Sequence, residues 1–142
     1  MMKKSHLLLF ISLTFLFFSC DGESVMKGMF WGFNKMMGDG IMPSPEILEL
    51  GAFERAEVNI SKTTADGENE NFIEVRLFNG KSEALAFNQE NTARRCAEIY
   101  AKGYSKIEDF DTINILFVQS DPFNQQNVAM TSYIFRVQDI LE

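Results

Sequence analysis

The sequence predicts an α+β domain: a four-stranded, mainly antiparallel sheet in the order α-ββ-α-ββ, with one or two packed helices. Three observations carry this. Apolar residues recur at every second position in three segments between residues 52 and 138, and a fourth, TINILFVQ, is a β-branched apolar run. The runs TTADGENEN, NGKS and SDPFNQQN, rich in turn formers, separate those segments. Between the second segment and the third, the apolar spacing changes to three and four, the period of a helix.

Each element has its own signature. Met26, Met29, Phe30, Phe33, Met36 and Met37 recur at spacings of three and four, a helical stripe over 25–37. Ser24 suits its N-cap and Gly38 its end, while Gly28 and Gly32 weaken it by ~1 kcal/mol each. The run GDGIMPSP breaks the pattern. Leu48, Leu50, Ala52, Ala56, Val58 and Ile60 then share one parity, broken only by Glu54, against Glu49, Arg55, Glu57 and Asn59 on the other, a first strand over 52–62. The preceding SPEILELG fits either an extension of that strand with a bulge at Gly51 or a short capped helical turn. Ile73, Val75 and Leu77 mark the second strand, 72–78. Ala93, Cys96, Ala97 and Tyr100 fall on one face of a helix over 89–102, with a start near Ser82 left open. TINILFVQ gives a third strand over 112–119, apolar enough to be central, and Tyr133, Phe135 and Val137 a fourth over 128–138. No internal sequence repeat occurs, although hairpin, helix, hairpin is a quasi-symmetric order. Strand order stays open.

The N-terminus has a separate logic. Lys3 and Lys4 precede LLLFISLTFLFF, an apolar run of about a dozen residues at ~1.5 Å each, short for a ~30 Å hydrocarbon core. That fits the apolar core of a secretion signal. The run ends in FFSC, which resembles the lipobox of bacterial lipoprotein signal peptides. Ser19 matches the small position and Cys20 the lipid acceptor, whereas Phe17 stands where leucine is usual. The resemblance covers residues 1–20 only. It implies that 1–19 are removed, that Cys20 carries the lipid, that 20–24 form a tether, and that 25–142 form one domain. It also implies a cell-envelope location, held to the inner or outer membrane through the N-terminal lipid. The domain is then expected in the periplasm, with surface display left open.

Composition excludes several functions. Losing Lys3 and Lys4 with the signal moves the net charge from −7 to −9, against nucleic acid, which is bound by clustered Lys and Arg. The single histidine, His6, leaves with the signal, so triads and Cys–His pairs lack their imidazole. With Cys20 acylated, Cys96 is the remaining thiol, and no intramolecular disulfide forms. Cys96 lies on an apolar helix face and reads as a small core residue. No phosphate-binding glycine loop of the common patterns occurs, and no cofactor or metal is expected. Glu54 and Glu57 fall on opposite faces of a strand. The acidic runs 66–70 and 108–111 lack the register of an EF-hand and read as solvated loops. Asp111-Thr112-Ile113 resembles the three-residue acceptor of an envelope O-glycosylation system, with Thr112 as acceptor.

One feature suggests a contact surface. Met29, Phe30, Phe33, Met36 and Met37 supply adaptable apolar side chains that pack on the sheet as core or, as the alternative reading, dock onto a protein partner. Phe72, Phe78, Leu116 and Ile134 point away from the inward residues of the sheet, and a second helix would cover them. The expectation is a membrane-anchored, non-catalytic binding or scaffolding module, not an enzyme, with an envelope protein as its partner. Two alternatives stay open: a small envelope enzyme or metal-dependent module using the acidic loops, and an inhibitor or accessory subunit of one envelope protein.

Overall fold

The computed structural model describes residues 31–65, 68–124 and 126–142. The signal segment, Cys20, Met29 and Phe30 lie outside them. The chain divides into two compact units, Met1–Met36 and Met37–Glu142. In the first, residues 31–36 are helical, and the Lys35 ammonium sits 5.1 Å from the centre of the Trp31 ring, a cation–π contact one turn apart.

In the second unit the elements run α1 (Pro45–Gly51), β1 (Arg55–Ala65), β2 (Glu68–Phe78), α2 (Ala84–Phe87), α3 (Gln89–Gly103), a 3-10 turn (Ile107–Asp109), β3 (Thr112–Ser120), β4 (Val128–Arg136) and α4 (Val137–Leu141). The strands lie in sequential order, β1-β2-β3-β4. The outer pairs are antiparallel hairpins, but the central pair, β2 with β3, is parallel.

Two parts of the sequence expectation are therefore corrected. The sheet is mixed and open, with antiparallel outer pairs but a parallel central pair, and five helical segments accompany it among the described residues of the second unit instead of one or two. The first difference follows from the connection. A chain that leaves β2, returns along the sheet as a helix and enters β3 beside it must run parallel to β2. The second comes from short elements: α1 is the capped helical turn that SPEILELG left open beside a strand extension, and alternation hides the others. Pro45 opens α1 with a backbone preset for a first helical turn, and Ala52, at φ 49°, closes it. In α1 the buried residues are Ile47 and Gly51, four apart, so the even-numbered parity of Leu48 and Leu50 misleads. Likewise Val137 continues the alternation of β4, yet it opens α4 and is buried together with Ile140, three residues on.

The core lies between one face of the sheet and α3. Ile73, Val75, Leu77, Ile113 and Ile115 are fully buried there, beneath Ala93, Cys96, Ala97 and Tyr100. Alanine and cysteine keep that helix face flat, so the helix settles close to the β-branched side chains. Tyr100 also reaches past the core: its hydroxyl donates to the Ile41 carbonyl at 2.8 Å. Tyr104 does the same to the Met37 carbonyl, also at 2.8 Å, and the Ser105 amide donates to the Asp39 carbonyl. Residues 37–41 are thus held against the end of α3. At Gly40, with φ +78°, a Cβ would stand 1.9 Å from the Gly103 carbonyl oxygen, so only glycine fits.

Candidate functional site

The residues singled out for chemistry are dispersed. Cys96 is a free thiol buried under the sheet, and burial pushes it up to about 12. A thiolate is the reactive form, so this side chain is inert in the folded state. Glu54 precedes β1, and its carboxyl is held below its usual range by hydrogen bonds from Lys81 and Asn79. Glu57 lies in β1 beside Arg55, whose guanidinium it binds. In the second acidic run, Asp109 meets Lys62 at 3.5 Å. Asp111 is a structural clamp. Its carboxylate accepts from the Asn71 amide at 3.1 Å, its own amide donates to the Asn71 carbonyl, and its carbonyl accepts from Val137. Among the described residues no group of three or more His, Cys, Asp or Glu side chains is placed to hold a metal ion. Asp66 and Gly67 of the other acidic run lie outside those residues.

Thr112 is the first residue of β3, half-buried between Phe72 of β2 and Arg136 of β4. In the stripe, Phe33 and Met36 are 42 % and 70 % exposed, whereas Met37, in the second unit, is half-buried against the core.

The structure brings together a different set, on the sheet face turned away from α3. The register aligns Asn59 with Glu74 and Glu74 with Asn114, one residue from each of β1, β2 and β3. The Glu74 carboxylate accepts from Asn59 at 3.3 Å, from the Arg76 Nε at 2.7 Å and from Asn114 at 3.3 Å. Ser132 of β4 then donates to the Asn114 amide oxygen at 2.6 Å. A polar row therefore crosses all four strands, with Glu74 at its centre neutralised by Arg76. Apolar side chains flank it. Ile134 and Met130 are 68 % and 64 % exposed, and Phe72 and Leu116 are half-buried. No described element of the second unit covers these residues.

At the start of β3 the face deepens into a groove of ≈ 540 Å³ lined by Phe72, Glu74, Asp111, Thr112, Asn114 and Ile134. A shallower hollow of ≈ 480 Å³ continues around the sheet end past Arg136 and Leu141. Both are open and carry apolar and hydrogen-bonding groups together. Phe72, Leu116 and Ile134 were legible as outward residues. Asn59, Asn114 and Ser132 were not, because their alignment depends on a register that no single strand reveals.

No protein-family model, curated protein or solved structure matches this chain. Among the described residues no helix is long and apolar enough to cross a membrane.

Proposed function

We propose that the chain is a lipid-anchored protein of the bacterial envelope that binds or scaffolds a protein partner without catalysis. The anchor is read from FFSC at 17–20, with the diacylglyceryl group on Cys20. Each buried acyl CH₂ contributes ~0.8 kcal/mol, so two or more long chains hold a domain to a bilayer firmly. The binding role rests on one observation: large apolar side chains, Ile134 and Met130, stand exposed beside a satisfied polar row on an open sheet face. Contiguous apolar surface rimmed by polar groups marks interaction sites.

Two variants test the two halves. Cys20→Ala should abolish acyl labelling and leave unprocessed precursor; normal processing together with an unlabelled wild type would refute the anchor. Asn59→Arg sets a cation across from Glu74, a cross-strand pair the sheet tolerates, while filling the face with a long side chain. It should leave the melting temperature near that of the wild type and remove the protein captured from detergent-solubilised envelope. Unchanged capture would move the contact elsewhere. The exposure of Phe33 and Met36 favours the helical stripe as that second surface.

A further inference from the structure

The two edges of the sheet are built differently. β1 carries Arg55, Glu57 and Lys62, charges of the kind that keep an edge strand from pairing with another chain. β4, Val128–Arg136, has no acidic residue, no proline and no glycine, and its one charge is the terminal Arg136. It pairs with β3 without interruption from Ser120–Val128 to Thr112–Arg136, so no bulge turns its free edge away. Phe123, Val128, Met130, Ile134 and Leu141 lie on β4 or its immediate flanks and make up half of the exposed large apolar side chains among the described residues.

We infer that β4 pairs antiparallel with β4 of a second copy of this chain, about a two-fold axis at Ser132, continuing the sheet to eight strands. The occupant is argued from the strand itself, which is self-complementary about that residue. Met130 faces Ile134 of the second copy, joining the two most exposed apolar residues of the strand. On the other side of the sheet, Ala129 faces Phe135 and Thr131 faces Tyr133, small opposite large in both cases. The loop bearing Phe123, 98 % exposed, arrives at the end of the second strand, where α4 carries Leu141. Charge points the same way. The chain has a net charge of −7, so two copies repel in most orientations, and β4 is an edge with no carboxylate. The two Arg136 residues end up eight positions apart along the strands, roughly 27 Å, well beyond the screening length of ~8 Å at physiological salt. This pairing does not depend on the lipid anchor, and it draws on the same exposed Met130 and Ile134 as the outer-face reading while using the strand edge.

Cysteine trapping in isolated membranes tests it with the full chain, Cys20 and Cys96 left in place throughout. At the axis, Ser132 faces Ser132 of the second copy with Cα atoms about 4.5–5.5 Å apart, within disulfide range. Ser132→Cys should therefore run mostly as a covalent dimer on a non-reducing gel after mild oxidation. Met130→Cys alone puts its two thiols roughly 13 Å apart along the strands and should stay at the wild-type level. Mixing chains that carry Met130→Cys with chains that carry Ile134→Cys should restore the covalent dimer, which guards against a folding defect peculiar to Ser132→Cys. A Ser132→Cys chain that stays monomeric while the mixed chains also fail overturns the pairing. So does a Met130→Cys chain that cross-links as readily as Ser132→Cys, which would mark random collision, or cross-linking only to a different protein.

Discussion

The two faces of the sheet share four strands and differ in almost everything else. Toward α3 the side chains are Ile, Val, Leu and Phe, most of them without access to water. On the far face, Glu74, Asn114, Asn59 and Ser132 alternate with Phe72, Leu116, Met130 and Ile134, and the polar groups satisfy one another. The difference separates two jobs. Burial of the inner face supplies the stability, and the outer face, freed from that requirement, can keep exposed apolar groups that contribute little to folding. If this division is right, equal cuts on the two faces should have unequal consequences.

The largest effect is expected at the centre of the inner face. Ile115→Ala removes a fully buried side chain between β2 and β4 and should cost about 2–5 kcal/mol, read as a lower denaturation midpoint. A loss no greater than that of an outer-face substitution would break the comparison.

Cys96 sharpens it through pH. The folded thiol ionises near 12, against an ordinary value of 9.0, because burial disfavours the thiolate. The folded state therefore holds its proton more tightly than the unfolded one. Stability is fully present below pH 9 and falls as pH climbs toward 12. Cys96→Ala should make that decline shallower without abolishing it, since burial also raises the Tyr100 and Tyr104 hydroxyls. It should lower neutral-pH stability by about 1 kcal/mol, and the native thiol should resist alkylation until the fold opens. Fast alkylation at neutral pH in the folded protein would contradict its burial.

The smallest effect belongs to the outer face. Asn59→Ala removes one hydrogen bond at an exposed site and should shift stability by about 0.5 kcal/mol or less in thermal melts. A loss comparable to that of Ile115→Ala would show the polar row to be structural instead.

Much of the inner face was legible in the sequence, because Ile73, Val75 and Leu77 announce a buried strand face by alternation alone. Ala93, Cys96, Ala97 and Tyr100 likewise announce the helix that covers it. The parallel central pair was not legible. Alternation reports which way side chains point and is silent about strand direction, so hairpin–helix–hairpin read as antiparallel. Short helices were legible in part: SPEILELG left a capped helical turn open beside a strand extension, whereas over five residues, as at Val137–Leu141, spacings of two and of three or four overlap. The outer face was half legible. Its apolar residues stood out by parity, but the polar row exists only once Glu74 and Asn114, 40 residues apart, are brought side by side.

That separation bears on the order in which the chain assembles. Each hairpin closes over a short loop, as where Ala65 pairs with Glu68, so both can form within microseconds of chain collapse. The join between them waits for α3 to lie across both halves, and closing so long a loop is slower than closing a turn. Until then each half exposes a bare hydrophobic strand, β2 or β3, to whatever surrounds it. The join between the hairpins is therefore the moment of greatest risk of aggregation, and the speed of the central zip sets how long that risk lasts.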